Sequence, residues 1–109
     1  MAEVDAAVRT RCRKALQVVA RQAPITAAFL FGSYAEGRVD RWSDIDLAVF
    51  VEGAEEWDIV RRAKSCAQVQ KEVGDDFELH FLPARAMRSP APASFAAFIL
   101  KRGIPVAWD

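Results

Sequence analysis

Gly32-Ser33-Tyr34-Ala35-Glu36-Gly37-Arg38-Val39-Asp40-Arg41-Trp42-Ser43-Asp44-Ile45-Asp46-Leu47 decides how this chain folds and what it does. A Gly-Ser turn follows an apolar run, and Asp-x-Asp comes after a ten-residue interval, at the head of a second apolar run. Gly32 and Ser33 offer close backbone approach and free N–H groups, which suit phosphate oxygens. Asp44 and Asp46 are i and i+2, so on a strand both carboxylates project from one face. Buried together without a partner they would repel each other and lose hydration at high cost. A divalent cation removes that conflict, and magnesium takes one or two carboxylates together with phosphate oxygens and water. Alone, Gly32-Ser33 is an ordinary turn and Asp44-Ile45-Asp46 a solvated strand end. In this joint spacing they describe a site for a metal-bound nucleoside triphosphate.

The flanking segments supply the frame. Ile25 to Phe31 is a short apolar run expected as a buried strand, with a short helix starting at Gly32-Ser33. Residues 37 to 43 are polar and loop-like. Asp44 to Val51 alternates as a strand, with Ile45, Leu47, Val49 and Val51 on one face and Asp44, Asp46, Ala48 and Phe50 on the other. Phe77 to Leu82 repeats the pattern: Phe77, Leu79 and Phe81 face the core, opposite Glu78, His80 and Leu82. If these two strands are neighbours, Glu78 lies ~4.8 Å away and reaches the same pocket. Asp44, Asp46 and Glu78 would then hold up to two Mg²⁺ ions. His80 is expected as a surface or satisfied histidine. Tyr34 packs or hydrogen-bonds beside the turn, and Trp42, Trp57 and Trp108 are expected as core or half-buried aromatics.

Helices are expected over residues 3 to 22, from Glu55 to Val73, and from a Ser94 cap through Arg102. Their apolar stripes are Val4, Val8, Cys12, Ala15 and Val19; Ile59, Ala63, Cys66, Val69 and Val73; and Phe95, Phe98 and Ile99. Arg9, Arg11, Arg13 and Lys14 form a solvated face of the first helix. Residues 88 to 93 are a linker, and Ile104 to Trp108 adds an edge strand, where Pro105 is tolerated. The order predicts an α/β (α+β) fold, a mixed β-sheet backed by helices.

With 109 residues and 52% hydrophobic composition, residues 1–109 are expected to form a single domain with its own core. Fifteen basic residues balance fifteen acidic ones, which argues against strong nucleic-acid binding. Cys12 and Cys66 form no metal or redox pattern and fit two reduced thiols. No apolar run approaches the ~20 residues of a membrane span. Met1 to Asp5 is acidic and lacks a signal-peptide core, so the expected location is cytoplasmic. The exposed edges of so small a sheet lead us to expect a homo-oligomer.

The stretch quoted above resembles the Gly-Ser-x10-Asp-x-Asp signature of the polymerase-β-like nucleotidyltransferases. Its brevity makes the chain most similar to the minimal nucleotidyltransferases of prokaryotes. The likeness is close from Phe29 to Val51 and looser towards the C-terminus. It implies the nucleotidyltransferase fold, with Asp44 and Asp46 as metal ligands and Glu78 as the third acid, usually Asp, that assists the acceptor hydroxyl. Gly32 and Ser33 match the triphosphate-contacting pair. Where this chain has Glu36, family members commonly carry Arg, and Arg38 or Arg41 is expected to supply that charge. The resemblance also implies ATP as substrate and AMP transfer to a hydroxyl, with a HEPN-type helical toxin as partner and acceptor and this chain as its antitoxin. Glu36 leaves an alternative: a catalytically idle module that neutralises a toxin by binding.

Overall fold

A computed structural model of the protein describes residues 4–109; Met1 to Glu3, and with them the first residue of the expected N-terminal helix and most of the acidic start, lie outside the described residues. The elements are α1 (Ala6–Ala20), β1 (Ile25–Phe31), α2 (Ser33–Glu36), β2 (Ile45–Val51), α3 (Ile59–Glu72), β3 (Phe77–Pro83), α4 (Arg85–Arg88), α5 (Phe95–Arg102) and β4 (Ile104–Pro105). One mixed sheet runs in the order β3-β2-β1-β4. β1 is antiparallel to β2 and to β4, whereas β2 and β3 are parallel. Parallel neighbours need a crossover, and α3 provides it. The expected mixed sheet backed by helices is thus the fold found.

Alternation along the strands builds two cores. Ile45, Leu47, Val49, Phe77, Leu79 and Phe81 pack into the larger one with Cys12, Leu16 and Val19 of α1 and Val69 of α3. On the other face Phe29, Ala48, Phe50 and Leu82 pack with Ala96 and Ile99 of α5. Gly103 lets the end of α5 lie close to β1, since a Cβ there would stand 2.8 Å from the Phe29 Cβ. Asp5 caps α1 by accepting from the Ala7 N–H at 2.7 Å, and Ser94 caps α5 by accepting from the Ala97 N–H at 3.1 Å.

Several expectations need correction. α3 begins at Ile59, after a 3₁₀ turn over Ala54–Glu56 and an Asp58 cap that accepts from Arg61 N–H at 2.8 Å. Of the expected stripe Val69 is buried and Cys66 and Val73 pack half-buried against the core, but Ile59 is 81% exposed and Ala63 is exposed, and Ser65 is buried in addition. Arg62 anchors the start of the helix in their place. Its guanidinium donates to the carbonyls of Trp57, Ala54 and Phe81, tying the start of α3 to the end of β3. Phe95 and Phe98 stay part-exposed, because α5 rests on the sheet through Ala96 and Ile99. Trp42 is exposed beneath the Arg41 guanidinium, 4.9 Å from its ring centroid, whereas Trp57 is core. The expected linker includes the last residue of α4 and Ala93, which has φ 61°.

Arg11 is more than a solvated helix position. It donates to both Asp76 oxygens, at 2.8 and 2.6 Å, and its guanidinium lies 5.1 Å from the Phe77 ring centroid. The Asp76 carbonyl accepts from the Ile45 N–H at 2.7 Å, so this pair clamps α1 to the start of β2 and β3. Cys12 is buried and Cys66 half-buried, both free; burial pushes the Cys12 thiol up to about 11, which leaves it inert. No helix among the described residues is long and apolar enough to cross a membrane.

Candidate active site

The acidic side chains meet because of strand register. Asp46 on β2 is opposite Phe31 on β1 and Glu78 on β3, so one row across the sheet carries Phe31, Asp46 and Glu78. β1 ends at Phe31, and the next residue, Gly32, turns the chain with φ 75° and ψ −151°. That conformation is open almost only to glycine. A Cβ on Gly32 would also stand 2.6 Å from Asp46 Oδ2. Two independent constraints therefore select glycine here: the turn itself, and the Asp46 carboxylate lying against it. The expected phosphate turn and the expected metal ligand are neighbours.

Asp46, Glu78 and His80 each offer one ligand atom within 4.8 Å of the others. His80 Nε2 lies 3.8 Å from Asp46 Oδ1 and 3.7 Å from Glu78 Oε1. These separations are too long for direct hydrogen bonds. Burial, reinforced by the charge of Glu78, holds the Asp46 carboxyl above the usual carboxylate range, with Asp44 adding a smaller push in the same direction. Asp44 precedes β2, is exposed and stands outside the tight group. Glu78 is the more open of the two central acids, with 54% of its side chain exposed against 22% for Asp46. Two acids crowded beside an imidazole form a donor set that a divalent cation fits.

Arg38 sits after the turn, and its backbone N–H donates to the Ser33 carbonyl at 3.0 Å. Its guanidinium donates to Glu36 Oε1 at 2.7 Å, so the cation expected to serve the phosphates is paired with a neighbouring acid. Arg41 stacks on Trp42. His80 is the residue the sequence undervalued. Its signal was present, two positions from Glu78 on the same strand face, but surface histidines are common at such positions.

The site so built is a compact glycine turn against an aspartate at the end of a mixed sheet, with a second acid in the next strand. The chain belongs to the family described as polymerase beta, nucleotidyltransferase, whose pattern matches residues 13–107. Among solved structures it is similar to a toxin–antitoxin crystallised with AMP-PNP, at 23% identity and TM-score 0.63, over 93% of this chain and 73% of that one. It is also similar to the toxin–antitoxin MntA-HpeT in a variant with two Asp-to-Glu changes two positions apart, at 24% identity and TM-score 0.61, over 88% and 72%. A protein from Sulfolobus solfataricus assigned as a nucleotidyltransferase matches at 19% identity and TM-score 0.58, over 81% and 83%. At these identities the likeness establishes the fold. Among curated proteins no sequence match was found.

Proposed function

We propose that this protein is a Mg²⁺-dependent nucleotidyltransferase that moves AMP from ATP onto a hydroxyl of a partner, a HEPN-type toxin, and so acts as its antitoxin. The observation that carries the proposal is the Phe31–Asp46–Glu78 row, with Asp46 packed against the Gly32 turn. Solved relatives support the wider context, since two of them are toxin–antitoxin pairs and one was crystallised with a nucleotide analogue.

In this proposal Gly32 and Ser33 grip the β- and γ-phosphates through backbone N–H groups and the Ser33 hydroxyl. Asp44, Asp46 and Glu78 hold the cation or cations, with His80 beside them. When bound, divalent cations neutralise the triphosphate and favour ionisation of the acceptor hydroxyl. Glu78, the more open acid, takes the hydroxyl proton. The hydroxyl oxygen bonds to the α-phosphorus, the bond from that phosphorus to the bridging oxygen breaks, and pyrophosphate leaves.

The test is incubation of the protein and its genomic neighbour with Mg²⁺ and ATP labelled at the α-phosphate. Label on the neighbour with wild type, and none with Asp44→Ala/Asp46→Ala, is expected. No label with either protein would contradict AMP transfer. A second proposal, an idle module that neutralises by binding, is favoured by one contact: the Glu36–Arg38 ion pair engages a cation close to the turn. Calorimetry with ATP and Mg²⁺ separates the two. An idle module binds its partner equally well with and without Asp46, and its neutralising activity in cells survives Asp46→Ala.

A further inference from the structure

Four aromatic rings form a chain that starts inside the acidic site and ends in solvent. Phe31 and His80 have centroids 5.2 Å apart at 63°, and Phe95 meets Phe31 at 5.4 Å and His80 at 5.7 Å. Phe98 continues the chain, 6.4 Å from Phe95 with the rings nearly parallel at 19°. Phe95 is 41% exposed and Phe98 49%. The two rings are neighbours and together form a contiguous part-exposed apolar patch. Ser94 caps α5 directly before Phe95, and Ala93 before it has a positive φ of 61°.

We propose that Phe95, flanked by Phe98, is the surface on which the nucleobase of the nucleotide stacks. This rests on the nucleotidyltransferase function proposed above. In-line displacement sets the incoming hydroxyl and the leaving pyrophosphate on opposite sides of the α-phosphorus. The Gly32 turn continues β1, on one side of Asp46, and Glu78 lies on β3, on the other. The reaction axis therefore runs across the strands, and the nucleoside must leave the α-phosphate sideways. Phe95 stands to that side, because it touches both Phe31 on β1 and His80 on β3. Continuity with the acidic site favours a nucleobase over an apolar side chain of a protein partner. An apolar partner group seated there would bury Asp46 and Glu78 without compensation, whereas a base presents a flat ring while its phosphates meet the polar row. Stacking of this kind is tolerant of base identity and favours larger rings, so the surface selects nucleoside triphosphates as a class and purines over pyrimidines.

Calorimetry in Mg²⁺ with ATP, CTP and inorganic triphosphate tests this on the intact protein. Phe95→Ala is expected to weaken ATP binding about tenfold, to narrow the preference for ATP over CTP, and to leave inorganic triphosphate unchanged. Phe95→Tyr is expected to keep wild-type values. Phe98→Ala is expected to show a smaller loss of the same selectivity, and it decides the question if thermal unfolding shows that Phe95→Ala does not fold. Equal ATP affinity in wild type and in the folded alanine variant would overturn the inference. So would an equal loss of ATP and triphosphate, or intact nucleotide binding with lost association to the neighbouring gene's product. Wild-type protein that binds neither ATP nor triphosphate would overturn the proposed function, and this inference with it. Wild-type protein that binds triphosphate as tightly as ATP would overturn the inference alone.

Discussion

The two faces of the β1–β2–β3 sheet are built by alternate residues of the same strands, yet they carry different work. On the face under α1 and α3, Leu30, Ile45, Leu47, Val49, Phe77 and Leu79 merge into one continuous apolar core. On the face under α5 the core is shorter, with Phe29, Ala48, Phe50 and Leu82 at one end. At the other end it gives way to Asp46, Glu78 and His80. The crowded acids and half-open rings are tolerable because the opposite face stabilises the strands that hold them. One-sided stability of this kind frees the other side for charge that costs free energy when no ligand is bound.

The sharpest way to break this comparison is to change adjacent residues of β2 that point in opposite directions. Leu47→Ala, at a fully buried position, is expected to cost about 3 kcal/mol or more of unfolding free energy in a denaturant titration. Its neighbour change, Asp46→Asn, is expected to leave metal-free stability undiminished, because it removes a like-charge contact with Glu78. AMP transfer with that variant should fall on the order of 100-fold or more in the labelled-ATP assay. Equal stability losses from both substitutions would show that the faces do not divide the work.

Gly32→Ala sharpens the comparison at the point where backbone and site meet. Both the positive φ and the Asp46 carboxylate oppose a Cβ there. A loss of about 2 kcal/mol in thermal or chemical unfolding is expected, together with weaker inorganic triphosphate binding by calorimetry. Gly53, with φ 80° and nothing within 4 Å of its Cβ position, is the control: alanine there strains only the backbone and should leave triphosphate binding intact.

Asp76, at the same end of the sheet, contrasts with Asp46. The hydrogen bonds from Arg11 hold its carboxyl below the usual range, with burial opposing them. Its contribution to stability is therefore complete above the unfolded carboxylate value of about 3.9 and is lost as pH falls through the lower folded value. Arg11 is 37% exposed, and screening keeps the expected effect near 1 kcal/mol. Unfolding curves between about pH 2 and 6 should show an acid-side loss in wild type that Asp76→Asn reduces.

Much of this was legible in the sequence, and the failures have physical reasons. A short apolar run made β1 visible and alternation made β2 and β3 visible, and the Gly-Ser-x10-Asp-x-Asp spacing pointed to the site before any geometry. The Asp46–Glu78 pairing was conditional, because register between parallel strands separated by a helix is not written locally. α3 was misjudged at its start because Ile59 and Ala63 fit the apolar spacing, while Arg62 makes the tertiary bonds. The stripe Phe95, Phe98 and Ile99 was right at Ile99 and wrong at the two rings: pattern records residue type, and only packing reveals that Ala96 joins Ile99 on the buried side. The Glu36–Arg38 pair was likewise invisible as a contact, although both residues stood out for their charge.

Mn²⁺ titration followed by electron paramagnetic resonance, with and without ATP, tests most directly whether these side chains form one cation-binding nucleotide site. Saturable binding strengthened by ATP is expected in wild type, lost in Asp46→Asn and weakened in Glu78→Gln. Wild type and both variants binding the ion alike, or none of them responding to ATP, would contradict it.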